Sequence, residues 1–130
     1  LNGLIAIYAV RLYQPEKAVP LAERLLEAQP ENTESWVRHG GVHLMVAEDL
    51  KRSGRREEAR PHYETALASY EEALRREPER NEIYPAVLTI YEELGMSDRV
   101  DWLLGLWQRY DPEGLRRAMG DAQSPGGAEG

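Results

Sequence analysis

Three prolines divide the chain into pairs of helical segments, and this division limits the fold more than any other feature of the sequence. Pro30, Pro78 and Pro112 each follow a segment in which apolar residues recur every three or four positions. Proline ends such segments because it lacks an amide hydrogen and disfavours helix in the residue before it. Pro78 and Pro112 are 34 residues apart, and Pro30 and Pro78 are 48 apart. Spacings of this size predict a repeated helical hairpin.

Further breaks between these prolines give six predicted helices. Gln14-Pro15 ends the first helix, and Gly54 and Gly95 end the third and fifth. The expected N-caps are Asn32 or Thr33, Asn81 and Ser97. The predicted helices therefore cover about 1–13, 15–28, 33–53, 55–77, 82–94 and 98–110. One short turn is expected at 115–119, and residues 120–130 are predicted to be disordered.

Composition excludes several classes of protein. The chain has 16 basic and 23 acidic residues, and the net charge of -7 argues against nucleic acid as a partner. It has no cysteine, so disulfides and thiolate zinc sites are excluded. No apolar run approaches the roughly 20 residues of a transmembrane helix. The chain begins at Leu1 inside a predicted helix, which suggests a fragment. A cytoplasmic location is favoured, with attachment to a membrane-bound parent protein as the alternative.

Apolar residues recur at equal distances before each of the three prolines. The positions 12, 8 and 5 residues before each proline are Ala18, Ala22 and Leu25, then Ala66, Tyr70 and Ala73, then Val100, Leu104 and Trp107. Aromatic residues, Trp36 and Tyr84, stand six residues after Pro30 and Pro78. Small and large apolar residues therefore recur at matching positions on three helices.

This order of residues resembles the tetratricopeptide repeat (TPR), a 34-residue helical hairpin, over about 112 of the 130 residues. Tyr84, Tyr91 and Gly95 match its first helix best, whereas Asn2 and Tyr13 depart from the aromatic and glycine positions in the first unit. The resemblance implies an all-α, right-handed solenoid with about six helices and a short C-terminal turn. The repeat domain would cover 1–119, in units of about 1–32, 33–80 and 81–114, followed by the tail 120–130.

The middle unit is longer than the family repeat by 14 residues. Gly54 comes seven residues late when counted from Trp36, and the Ala-Tyr-Ala spacing of the second helix occurs twice, at Ala59–Ala66 and Ala66–Ala73. Each helix of this hairpin is therefore predicted to carry seven extra residues. Seven residues are nearly two helical turns, so the buried face drifts by only about 20° while the hairpin lengthens by about 10 Å.

In the TPR family the first helices of successive units line a concave groove that holds a peptide or a helix. The corresponding positions are Gly3, Ile7, Val10 and Arg11, then Glu34, Val37, Gly41, Leu44 and Met45, then Glu82, Pro85, Thr89, Glu92 and Glu93. This wall is apolar at one end and acidic at the other, which favours an apolar or partly basic helical ligand. The alternative is that Leu44 and Met45 only pack against the long fourth helix.

Two histidines on the third helix are weak candidates for a metal site. His39 and His43 stand four residues apart, a spacing that suits metal chelation. No acidic residue follows on the same face at the next turn, although His62 on the next helix could approach. Both histidines occupy positions that the repeat buries, so a packing role is favoured and neither a metal nor another cofactor is expected.

Basic residues surround the turn at Gly54. Lys51, Arg52, Arg55 and Arg56 would form the tip of the long hairpin, with Glu57 and Glu58 beside them. The favoured interpretation is a solvated turn whose arginines complement a helix dipole. The alternative is a docking tip for an acidic partner or a membrane surface.

No catalytic arrangement is recognised, and the chain is not expected to be an enzyme. Ser35 or Ser69 could approach a histidine, but neither an oxyanion hole nor an orienting acid is apparent. The resemblance implies a protein–protein interaction module or scaffold. One alternative is a structural or regulatory soluble segment of a larger, for example membrane-bound, enzyme. Another is self-association through Trp102, Leu106, Trp107 and Tyr110, since no full capping helix is expected after the third unit.

Overall fold

The computed structural model describes residues 2–11 and 14–123, and the side chains of 3–9 and 14–120. The described chain is helical and contains no strand, which confirms the predicted all-α class. The helices are α1 (Asn2–Ala6), α2 (Pro15–Ala28), α3 (Thr33–Arg52), α4 (Arg56–Arg76), α5 (Ile83–Leu94), α6 (Val100–Tyr110) and α7 (Pro112–Gln123). A π-helical turn (Ile7–Arg11) continues α1, and a 3₁₀ turn (Ser97–Arg99) precedes α6.

The chain divides into two compact units, Leu1–Glu77 and Pro78–Gly130. In the first unit α3 packs along α4, α2 packs on α3, and α1 contacts both α2 and α3. Its core includes Ile5 and Ala9 from the start of the chain and Ala18, Ala22 and Leu25 from α2. The α2 residues are spaced by four and three positions, so they form one apolar stripe toward α3.

The hairpin of α3 and α4 contains the two longest helices of the described chain. They have 20 and 21 residues, compared with 14 in α2 and 12 in α5. Gly54 lies between them with a φ of 79°, a left-handed conformation that costs other residues energy. Ala59, Tyr63, Ala66, Tyr70 and Ala73 are all buried along α4. The apolar face thus stays in register over the whole length of the helix.

The second unit consists of α5, α6 and α7, with α6 in contact with both others. Tyr84 of α5 stacks on Trp107 of α6, with ring centroids 5.7 Å apart and an angle of 14° between the planes. Val87, Ile90 and Leu103 are fully buried. This small apolar core is centred on the two rings.

Trp36 and Tyr84 make equivalent hydrogen bonds in the two units. The indole nitrogen of Trp36 donates to the carbonyl oxygen of Pro30 at 2.8 Å, and the hydroxyl of Tyr84 donates to that of Pro78 at 2.7 Å. Each bond spans six residues. It joins the start of one helix to the proline that follows the end of the helix before it. Burial raises the pKa of Tyr84 to about 12, so its hydroxyl stays protonated as a donor at neutral pH.

The structure confirms one of the predicted N-caps and not the other two. The side chain of Asn32 accepts a hydrogen bond from the amide of Glu34 at 3.0 Å, as a cap of α3 should. Asn81 is not the cap of α5, because Glu82 occupies that position without a side-chain bond. Ser97 begins a 3₁₀ turn instead of capping α6 directly.

The predicted turn at 115–119 is in fact a complete helix, α7, which packs against α6. Asp111 explains its start, since one carboxylate oxygen accepts from the amide of Gly114 at 3.1 Å and the other from the indole of Trp107 at 3.3 Å. Pro112 then occupies the first helical position, where its missing amide hydrogen costs nothing. Residues 120–123 are therefore helical and not part of a disordered tail, and 124–130 lie outside the described residues.

Candidate functional site

An apolar hollow of about 310 Å³ lies between α1 and α3. Its lining comes from α1 and the following turn, from one face of α3, and from Tyr70 of α4: Ile5, Ala6, Ala9, Val37, Arg38, Gly41, Val42, Leu44, Met45, Glu48 and Tyr70. Val37, Gly41 and Leu44 are spaced by four and three positions, so they face the same side of α3. Gly41 lacks a side chain there, and a Cβ at this position would stand 3.4 Å from the hydroxyl of Tyr70.

Four of the predicted groove residues meet in this hollow, namely Val37, Gly41, Leu44 and Met45. Each of them is only partly buried, so their surface is accessible from solvent. Glu34 does not line the hollow. Its carboxylate forms an ion pair of 2.8 Å with Arg38, which does line it. The α3 side of the predicted groove is thus assembled as one surface.

The α1 side of the hollow is formed by other residues than those predicted for the groove. Ile7 is 38% exposed and does not line the hollow, whereas Ile5 and Ala9 do and are buried. The first unit lacks the aromatic and glycine that mark the register elsewhere, and a π-helical turn at Ile7–Arg11 changes the angular position of the residues in it. The side chains of Val10 and Arg11 lie outside the described part of the chain.

The remaining predicted groove residues belong to the second unit. Glu82 precedes α5, and Thr89, Glu92 and Glu93 lie on it, all at least partly exposed. Glu82 and Pro85 line a separate hollow of about 400 Å³ with residues of α6 and α7, among them Trp107 and Arg117. The carboxylates of Glu82, Glu92 and Glu93 thus lie on the surface of the second unit.

A cluster of three histidines and a glutamate connects α2, α3 and α4. The Nε2 atoms of His39 and His43 lie 3.0 Å and 3.1 Å from the same oxygen, Oε2 of Glu23. The Nδ1 of His39 is 2.6 Å from Oγ of Ser69, and the Nδ1 of His43 is 3.0 Å from the Nδ1 of His62. Every ring nitrogen of the two buried histidines therefore has a partner.

Burial lowers the pKa of His43 below its ordinary value, although the hydrogen bond to Glu23 acts in the opposite direction. Burial also lowers the pKa of His62. For Glu23, burial raises the pKa, but the hydrogen bonds from His39 and His43 outweigh this effect and the pKa is lowered. The cluster thus favours a carboxylate with neutral imidazoles at His43 and His62.

The acidic group that α3 does not itself supply beside the two histidines comes from another helix. Glu23 reaches them from α2, one position after the buried Ala22. The packing of α2 on α3 brings it there, and this packing is not visible in the spacing of α3 alone. The one available signal was the apolar stripe on α2, which places Glu23 at the edge of the face toward α3.

Ser69, His39 and Glu23 include the residue types of a hydrolytic triad but not its arrangement. In a triad the serine bonds to Nε2 and the acid to Nδ1, whereas here the two nitrogens are exchanged. The hydroxyl of Ser69 is also buried, with the residue 3% exposed. The arrangement thus offers no nucleophile to a substrate.

At the predicted docking tip, several cations pair with acids of the same turn. Arg55 donates to Glu58 at 2.6 Å, and Arg52 lies 3.5 Å from Asp49. Arg56 is exposed, and Lys51 is partly buried. Both pairs join exposed side chains, for which net stabilisation is small.

The exposed aromatic surface of α6 is smaller than the self-association hypothesis assumed. Trp107 is 2% exposed and covered within the second unit, while Trp102 is 41% and Tyr110 39% exposed. The guanidinium groups of Arg99 and Arg109 lie over the rings of Trp102 and Tyr110, respectively. The expected absence of a further helix after α6 is wrong, since α7 packs there.

Within residues 2–11 and 14–123, none of the helices combines the length and apolar character that a membrane crossing requires. Comparison of the chain with models of known protein families, with curated proteins and with solved structures gives no match in any of the three.

Proposed function

We propose that the chain is a non-catalytic protein-binding module with a TPR-like architecture, which receives a helical segment of a partner in the hollow between α1 and α3. The observation that carries this proposal is the meeting of Val37, Gly41, Leu44 and Met45 with the residues of α1 around one apolar hollow. Concave surfaces lined by apolar side chains with a few polar groups at the edge are typical binding sites.

Two features support the repeat on which the proposal rests. The equivalent bonds of Trp36 to Pro30 and of Tyr84 to Pro78 indicate the same local structure in two units. The lengths of α3 and α4 agree with about seven extra residues in each helix of the middle hairpin. A right-handed solenoid with an extended second hairpin is the arrangement we propose from these features.

The charge of the surface defines the chemistry of the partner. Glu48 lies at the hollow, Arg38 there is already paired with Glu34, and the whole chain carries a net charge of -7. A helix with apolar residues at i, i+3 and i+4 and lysine or arginine on its flanks would complement this surface.

Photo-crosslinking tests the proposal without destabilising the core. A benzophenone amino acid replaces Leu44 in one variant and Met119, which is 40% exposed on α7, in a control variant. We expect partner adducts from cells only with the group at position 44, and we expect Leu44→Asp to abolish capture of the same partner. Equal adducts at both positions, or capture that survives Leu44→Asp in a folded variant, would refute binding in the hollow.

One observation favours a second function, that of a structural segment that packs on another part of a larger protein. Leu4 on α1 is 47% exposed and Ile7, at the start of the π-helical turn, is 38% exposed, and both lie outside the lining of the hollow. Exposed apolar side chains close together on one short element favour a protein contact. If this contact is the main function, Leu4→Glu with Ile7→Glu will abolish association while Leu44→Asp has no effect.

A further inference from the structure

The geometry points to a zinc site formed by Glu23, His39 and His43, in which Ser69 and His62 position the two ligating imidazoles. The site is independent of the hollow between α1 and α3, because none of these five residues lines that hollow. It lies instead where α2, α3 and α4 approach one another.

The three ligand atoms already converge on one point. Glu23 Oε2 is 3.0 Å from Nε2 of His39 and 3.1 Å from Nε2 of His43, and the ligand atoms of the three residues all lie within 4.8 Å of one another. In a tetrahedral zinc site with bonds of about 2.0–2.2 Å, neighbouring ligand atoms are about 3.3 Å apart. The spacing to the carboxylate thus needs little change to admit the ion.

The donor set favours zinc over magnesium and calcium. Two imidazoles and one carboxylate form a set that zinc accepts, with a fourth position open to water or another ligand. Magnesium and calcium prefer oxygen ligands only, so two nitrogens disfavour them. The side chain of Glu23 is 52% exposed, which gives the ion a path from solvent to the buried rings.

The outer partners of the histidines are those that a metal site requires. A carboxylate only accepts hydrogen bonds, so without metal both Nε2 atoms carry the proton and donate to Glu23. Ser69 and His62 then donate to the Nδ1 atoms of His39 and His43. When the ion takes the Nε2 lone pairs of His39 and His43, the proton of each ring moves to its Nδ1. Ser69 Oγ then accepts from His39, and His62 Nδ1 accepts from His43 because the proton of His62 moves from Nδ1 to Nε2. The same two contacts serve both states, and the number of bound protons does not change.

The helices hold this arrangement in place. His39 and His43 are one turn apart on α3, which packs against α4, the helix of Ser69 and His62. Both histidines are buried, at 5% and 6% exposure, so their rings have little rotational freedom. Ligands fixed in this way lose little conformational entropy on binding.

Calorimetric titration of the full chain with zinc chloride, after removal of any affinity tag and of metal by EDTA, tests the site. We expect one ion per chain with a dissociation constant of about 1 μM or lower. Glu23→Gln should weaken binding by at least about tenfold, while Glu27→Gln, an exposed glutamate one turn later on α2, should leave the constant unchanged. Magnesium and calcium should give no binding. No zinc binding up to about 100 μM by the folded chain would overturn the proposal.

Because His39 and His43 are buried and their variants can unfold, the wild-type chain provides the second measurement. Long-range ¹H–¹⁵N spectra of its imidazoles should show the Nε2 atoms of His39 and His43 change from protonated to metal-bound on addition of zinc, with protons on Nδ1. His62→Gln should weaken zinc binding about tenfold and leave both ligands in place. Zinc binding that leaves the nitrogens of His39 and His43 unchanged would place the ion elsewhere and overturn the proposal. So would equal affinity in the Glu23→Gln variant.

Discussion

The ring of Tyr70 lies directly on the backbone of Gly40. A Cβ atom at position 40 would stand 3.1–3.2 Å from three ring carbons of Tyr70, closer than nine in ten Cβ contacts in proteins. The hydroxyl of the same side chain would be 3.4 Å from a Cβ at Gly41. Two successive glycines thus let α3 and α4 approach each other in the middle of the long hairpin, beside the hollow that Tyr70 helps to line.

Gly40→Ala should therefore destabilise the protein although alanine favours helices. The gain in helix propensity is about 1 kcal/mol, and overpacking a filled site costs about 1–3 kcal/mol. We expect a net loss of about 1 kcal/mol in the free energy of unfolding by urea. Gly105→Ala on α6 is the matched control. A Cβ added there would meet no other part of the protein within 4 Å apart from its own helix backbone, so the change should stabilise by about 0.5–1 kcal/mol. Equal effects of the two substitutions would contradict the close contact.

Asn32 and Asn81 offer a matched test of helix capping. Both precede helices, but only the side chain of Asn32 accepts from a helical amide, that of Glu34. Asn32→Ala should lower the free energy of unfolding by about 1 kcal/mol. Asn81→Ala should change it by less than about 0.5 kcal/mol. Thermal and urea unfolding followed by circular dichroism measure both, and a larger loss for Asn81→Ala would show that the capping assignment is wrong.

The two tryptophans of α6 should differ strongly in their contribution to stability. Trp107 is buried against Tyr84, so Trp107→Ala should cost about 3–5 kcal/mol or prevent folding of the second unit. Trp102 is 41% exposed, and Trp102→Ala should cost less than about 1 kcal/mol. Trp107→Tyr, which keeps a ring, should retain a folded chain with a reduced midpoint. Similar losses for Trp102→Ala and Trp107→Ala in urea unfolding would contradict this placement.

Stability should fall in mildly acidic solution. The folded-state pKa values of His43 and His62 are lowered, so below pH about 6.5 the unfolded chain binds protons that the folded chain does not. The free energy of unfolding therefore decreases as the pH falls through this range, by up to about 1.4 kcal/mol per pH unit for each histidine. The lowered pKa of Glu23 adds a loss that begins below about pH 4.5. Groups that face His43 are Glu23 on α2, His39 on α3 and His62 on α4.

Urea unfolding in EDTA between pH 7.5 and 5.5 measures this dependence. Wild-type stability should change little above about pH 6.5 and fall below it, and His62→Gln should lose less because one titrating group is removed. Arg60→Gln serves as the control and should follow the wild-type profile, because Arg60 lies two residues before His62 but has an exposed side chain paired to Glu64. A wild-type stability that stays constant or rises toward pH 5.5 would disprove the explanation.

The sequence predicts the helices well because proline and glycine act locally. The ends of α2, α3 and α4 lie within a few residues of the predicted ones, and the doubled Ala-Tyr-Ala spacing of α4 predicts its buried positions. The extent of α7 was missed, although the Asp111-Pro112 pair is itself a helix-start signal. The residues of the first segment that line the hollow differ from those assigned to the groove, because that segment lacks both marker residues of the repeat and contains a π-helical turn.

The residues of the candidate sites also divide into those that the sequence predicts and those that it does not. Val37, Gly41 and Leu44 could be grouped from the sequence because they share one face of a single helix. The approach of Glu23 to His39 and His43 could not be predicted from the sequence. It depends on how α2 packs across α3 and on the side-chain rotamers that this packing allows. Contacts within a helix follow from its period, whereas contacts between helices need the three-dimensional arrangement.

The bonds from Trp36 and Tyr84 to the prolines six residues earlier have a consequence for how related chains are recognised. Both contacts need an aromatic ring that carries a hydrogen-bond donor at its far end, and phenylalanine, absent from this chain, has none. A descendant of the same ancestor can exchange tryptophan and tyrosine at these positions without losing the bond to the carbonyl. A search pattern that accepts phenylalanine, tyrosine and tryptophan equally at these positions ignores the need for a donor. A pattern that requires tryptophan or tyrosine takes it into account.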